Sequence, residues 1–102
     1  EYEALAKANE NSWRILFAIA NVFSYNEYFK EAIPMWQKTF DCMPKPRYTD
    51  SFEAMAQCCV RMGDHERAVE YYKKELELLR EDWGLKYGAE VDALEEKIRA
   101  LQ

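Results

Sequence analysis

At 102 residues, 49% of them hydrophobic and 15% aromatic, the chain has material for one buried core and is too apolar to remain disordered. A net charge of −5 argues against nucleic acid as a direct partner, because such a surface repels phosphates and gains nothing from counterion release. No apolar run approaches the roughly 18 residues of a membrane span, no secretory signal is present, and three cysteines make no disulfide framework. A reducing, cytoplasmic setting is expected.

In chain order, Glu1–Asn11 reads as the last turns of a preceding helix. The opening Glu1-Tyr2-Glu3 lacks a starting Met, so the chain is expected to be a piece of something longer. Two helices follow at about 12–25 and 28–42, joined at Tyr25-Asn26-Glu27. Pro34 is expected in the first turn or so of the second, where its missing N–H matters little. Met43-Pro44-Lys45-Pro46 then interrupts the helical pattern, since proline cannot continue a helix. A second pair is expected at about 50–62 and 65–82. Asp50 with Glu53 three residues on has the form of a capping box, Gly63 suits a left-handed helix end, and Asp64 can cap the next helix.

The two pairs repeat. Leu16, Ile19, Ala20, Phe23, Ala32 and Trp36 become Phe52, Met55, Ala56, Cys59, Ala68 and Tyr72 on a shift of 36 residues. Large, small and aromatic positions recur in the same order, which is the mark of stacked units that bury one another's faces. The four alanines are expected at the closest helix approaches, where a larger side chain would push the helices apart. After Trp83-Gly84 the register fails. Val91, Leu94, Ile98 and Leu101 make one apolar stripe on a helix of about 88–101, with Asp92, Glu95, Glu96, Lys97 and Arg99 around the rest. A closing helix with a polar outer face is expected.

This pattern resembles the tetratricopeptide repeat over residues 13–82, most clearly in the stretch from Arg61-Met62-Gly63-Asp64 through Ala68-Val69-Glu70-Tyr71-Tyr72. The first helices lack the family's usual glycine, Cys59 replaces an aromatic residue, and the spacing is two residues long. The resemblance implies an all-α fold: a right-handed superhelix of two helical hairpins, about 13–46 and 49–82, closed by the helix at 88–101, the whole chain forming one domain. Over residues 49–101 the order Gly63-Asp64, Ala68, Tyr72, Leu78–Glu90, Ala93-Leu94 and Ile98 also resembles the bacterial transcriptional activator domain of antibiotic-regulator-type activators. Trp83-Gly84-Leu85 fits that family's turn, whereas Tyr87 and Ala89 stand where prolines are common. That narrower resemblance implies an effector domain whose DNA contact comes from a separate winged-helix domain.

Few residues offer chemistry. Cys58 and Cys59 point about 100° apart on a helix, which suits no shared ion, and Cys42 and Cys59 fall on apolar stripes as small core residues. His65 follows a turn with no ligand set beside it, and no phosphate-cradling loop or nucleophile motif occurs. No catalytic, metal or cofactor site is expected, and the chain is read as not an enzyme. Lys73-Lys74-Glu75 and Arg80-Glu81-Asp82 read as solvated helix faces with paired charges.

What remains after the core is assigned is a second stripe on each first helix. Arg14, Phe17, Ala18, Asn21 and Tyr25 form one; Asp50, Glu53, Ala54, Gln57 and Arg61 form the other. By the resemblance these face the concave side, where such repeats bind extended or helical peptides. One subfamily clamps acidic chain ends with Lys, Asn and Arg. Asn21 matches one of those positions, but Phe17, Ala54 and Asp50 fill others, so the clamp is not carried over. The expected partner is a protein or peptide, with transcription machinery, the chain's own upstream part and a homodimer as candidates. A generic scaffold unrelated to transcription is the alternative, and a regulatory appendage of an enzyme is a third reading.

Overall fold

A computed structural model describes residues 12–102, so the helix expected at Glu1–Asn11 lies outside the described residues. Five α-helices follow one another: α1 Trp13–Tyr25, α2 Phe29–Asp41, α3 Asp50–Arg61, α4 His65–Trp83 and α5 Ala89–Leu101. Helices α1 and α2 pair, α3 and α4 pair, α2 packs on α3, and α5 lies against α4. This is the all-α, tetratricopeptide-like stack of two hairpins and a closing helix that the family resemblance implies.

The turns show how local chemistry sets the boundaries. Gly63 takes φ +82°, and the Asp64 carboxylate accepts the Arg67 N–H at 3.3 Å, capping α4. Gly84, at φ +65°, ends α4 while the Leu85 N–H reaches back to the Leu79 carbonyl at 2.9 Å. In the first hairpin the residue equivalent to Gly63 is Glu27, and it too has a positive φ, +64°. That conformation costs a non-glycine residue about 1 kcal/mol, so the hairpin geometry is held against a local penalty.

Two local expectations are corrected. The capping box at Asp50 does not form, because Thr49 is the N-cap residue and no side chain caps α3. Asp50 is already helical, and with Glu53 it supports the positive end of α3 by charge alone. Pro34 lies a full turn deeper than expected, at the sixth position of α2, where its missing N–H leaves the Lys30 carbonyl without its intrahelical partner. Pro34, Lys30 and Glu31 are exposed on that side, so water can take the place of the lost bond.

The core follows the repeat register. Ala20, Ala32, Ala56 and Ala68 are all fully buried, and Leu16, Met55 and Cys59 with them. Trp36 is buried against α1. Its indole N–H donates to Ser24 Oγ at 2.8 Å and its ring meets Phe17 edge-on at 5.0 Å. Phe40 and Phe52 lie 4.4 Å apart, centroid to centroid, across the α2–α3 contact. Cys58 is buried as well as Cys59, with its sulfur 3.8 Å from Ser24 Oγ, while Cys42 is half-exposed. Burial pushes the Cys58 and Cys59 thiols up from their ordinary range.

Replacing Ala68 by Arg places a charge and excess volume at a closest helix approach and is expected to cost on the order of 3 kcal/mol or more in urea unfolding. A midpoint equal to wild type would disprove the packing register. Thiol labelling gives a second check: the native protein should release Cys42 first and hold Cys58 and Cys59 until it unfolds. Simultaneous fast labelling of all three would contradict the burial described here.

Candidate functional site

The linker between the hairpins, residues 42–49, is tied to the far end of α4. The Arg47 guanidinium forks onto Asp82, Nε to Oδ2 at 2.9 Å and Nη2 to Oδ1 at 3.2 Å, and the Arg47 backbone N–H also donates to Oδ2 at 2.9 Å. Next along α4, the Trp83 indole N–H donates to the Arg47 carbonyl at 2.7 Å. The guanidinium also lies 4.5 Å over the Phe40 ring. Asp82 is therefore no solvated charge, as its sequence context implied: its side chain is 1% exposed, and the Arg47 hydrogen bonds lower its carboxyl to about 2.

This anchoring places Tyr48 in a row of aromatic rings. Trp13 and Tyr48 are 5.7 Å apart, and Tyr48 stacks against Trp83 at 6.3 Å. Two open clefts run along the row. One, of about 390 Å³, is lined by Tyr48, Thr49, Asp50, Leu79, Trp83, Leu85 and Glu90. The other, of about 300 Å³, is lined by Trp13, Arg14, Phe17, Tyr48 and Asp50. They share Tyr48 and Asp50 and together cross α1, α3 and the start of α5.

The eight residues picked from the sequence separate into two groups. Arg14, Phe17 and Asp50 meet in the second cleft, with the Arg14 guanidinium 4.9 Å over the Trp13 ring. Glu53 is half-buried and pairs with Lys97 of α5 at 3.8 Å. Gln57 reaches back to Glu53 at 3.4 Å. Arg61 is engaged within the chain, ion-paired to Glu27 and 5.2 Å over the Phe29 ring. Asn21 and Tyr25 are exposed, and neither lines the two clefts. Sequence reasoning missed Trp13, Tyr48, Trp83 and Glu90 as members of this face. Trp13 lies four residues before Phe17, so extending the α1 stripe one turn would have reached it.

Carboxylates crowd the inner end of the first cleft. Glu75 lies one turn before Leu79 on the stripe that continues to Trp83, both of which line the cleft. It is 5% exposed, and its Oε1 has no hydrogen-bond partner among the described residues. Burial, then the charge of Glu53, raises its carboxyl from 4.5 to about 7, with Lys97 opposing and Asp50 and Glu90 adding to the rise. The repeat shows what is unusual. Thr39 occupies the same register position in α2, also fully buried, and satisfies its hydroxyl on the Met35 carbonyl at 2.7 Å. A carboxylate cannot donate in that way.

Among the described residues no three His, Cys, Asp or Glu side chains gather so as to hold a metal ion, and no helix is long and apolar enough to cross a membrane. The stacked hairpins and the groove across their first helices define the class, an all-α helical-repeat module. Residues 51–82, the second hairpin, match the tetratricopeptide repeat family. No curated protein matches the chain.

Glu75 generates a pH dependence with a definite sign. Its folded carboxyl titrates near 7 against 4.5 for the ordinary group, so the folded state holds a proton that the unfolded state has released. Its contribution is full below pH 4.5 and is lost as pH rises through about 7, by up to about 3 kcal/mol. Asp82 acts in the opposite sense and in another window, supporting the fold above its ordinary value and failing as pH falls through about 2. Glu75→Gln should flatten the stability loss between pH 4.5 and 7 in urea unfolding series. An unchanged slope in the variant would exclude Glu75 as its source.

Proposed function

We propose that this module is a non-catalytic protein-interaction scaffold that takes an extended segment of a partner protein along the groove crossing α1, α3 and α5. One observation carries the reading. Trp13, Tyr48 and Trp83 stand in a row along two joined clefts, with Tyr48 and Trp83 about half-exposed although they are held by ring contacts and hydrogen bonds. Anchored aromatic side chains at a surface are the usual carriers of interface energy, since they bring large apolar area with little entropy left to lose. The tetratricopeptide match in the second hairpin supports the same class of function. In this reading Arg14, Phe17, Asp50 and Glu53 belong to the groove, while Asn21, Tyr25, Gln57 and Arg61 form a farther part of the face that a longer partner reaches. The two units and the closing helix act as one domain.

The narrower reading, an effector domain of a bacterial transcriptional activator working beside a winged-helix domain, has its support in the residue order from Gly63 to Ile98. In the structure that stretch is an αL turn at Gly84 with a Leu85-to-Leu79 bond, a common way for a helix to end.

Random-peptide display against the folded chain tests the scaffold reading. A recovered peptide is expected to lose about tenfold or more in affinity for Tyr48→Ser and for Trp13→Ala, equal to about 1.4 kcal/mol each. Equal affinity for wild type and both variants would move the binding surface elsewhere.

A further inference from the structure

The first cleft has a charge character of its own. Among the described residues its lining carries two carboxylates, Asp50 and Glu90, and no cation. Neither carboxylate has an ion pair or hydrogen bond among the described residues, and both side chains are exposed. Behind them stand Glu53 and the buried, unpartnered Oε1 of Glu75, on the stripe that leads from the cleft into the core. Lys97 faces this group of acids among the described residues, 3.8 Å from Glu53 and 5.6 Å from the centroid of the Tyr72 ring. Among the described residues Arg47 is forked onto Asp82, Arg14 covers Trp13 in the neighbouring cleft, and Lys86, beside the cleft-lining Leu85, is exposed to water. The walls are the stacked rings of Tyr48 and Trp83 together with Leu79 and Leu85.

Aromatic faces attract a cation through their quadrupole, apolar walls accept a methylene stem, and surplus carboxylates stabilise the charged head. A carboxylate or phosphate in this cleft would meet like charge on two sides. We infer that the cleft walled by Tyr48 and Trp83 and edged by Asp50 and Glu90 receives a Lys or Arg side chain of the partner segment. This rests on the groove reading above and adds the chemistry of the partner: a cationic residue flanked by apolar ones, with its stem along Leu79 and its head between the two carboxylates. Lys97 shows the same chemistry within the chain, an ammonium set between a carboxylate and an aromatic ring.

The three tryptophans supply the readout, because Trp83 borders this cleft, Trp13 the next, and Trp36 is buried as an internal control. The ¹⁵N-labelled chain is titrated with three capped pentapeptides, a central Lys, Gln or Glu within Ala-Leu-X-Leu-Ala, and with n-butylammonium. The Lys peptide is expected to move the Trp83 indole resonance with an affinity about fivefold above that of the Gln peptide, leaving Trp36 in place. Added salt should erase that difference, and Asp50→Asn combined with Glu90→Gln should bring the Lys peptide down to the Gln peptide's affinity. Equal shifts with Lys, Gln and Glu peptides would sustain the groove and overturn the cationic assignment alone. If n-butylammonium binds as tightly as the Lys peptide, the cleft takes a free amine and the peptide assignment is overturned. Absence of any Trp83 shift, with every probe at its solubility limit, would overturn both readings.

Discussion

Arg47 holds the molecule's two halves in register. Its side chain and backbone donate three hydrogen bonds to one buried-edge carboxylate, and its carbonyl takes a fourth from Trp83. The eight residues of the linker carry two prolines and join the helical ladders only at their ends, through Cys42, Met43 and Thr49. Removing Arg47 would leave the covered Asp82 carboxylate without its counter-ion, which costs more than losing an exposed pair. Because Tyr48 is the next residue, the same anchor decides where the aromatic row stands. Fold and groove share one constraint.

Much of the architecture was legible because its determinants are local. Gly63-Asp64, the prolines of the linker and the 36-residue recurrence each act within a few residues of where they are read. The small-residue positions carried over from one hairpin to the next because they answer to the same helix spacing. The residues lining the two clefts were legible only in part, through Arg14, Phe17 and Asp50, which follow helical periodicity. Tyr48 lies in a loop with no period to betray it. Its neighbours Trp13 and Trp83 are 35 residues away on either side, so no local window contains the row. Asp82 was misread for the same reason: its partner is 35 residues distant and its immediate neighbours are charged. The capping box failed by a single position, within the usual uncertainty of helix ends.

Glu75 breaks the repeat beside the carboxylates of the first cleft. A Thr at that position satisfies itself, as Thr39 does, whereas Glu75 leaves a polar oxygen orphaned beside three other acids. Sites that contradict local packing rules while the surrounding structure obeys them are places where function and stability pull apart. The cost falls on the contact between α4 and the closing helix, which Lys97 bridges back to Glu53.

The polar outer side of α5, with Glu95, Glu96 and Arg99 exposed, offers no apolar face for another hairpin to stack upon. At its start α5 contributes Glu90 to the first cleft, and that cleft meets the second at Tyr48 and Asp50. A segment lying in both therefore crosses a loop residue at its midpoint, and its path is set by the linker as much as by any helix.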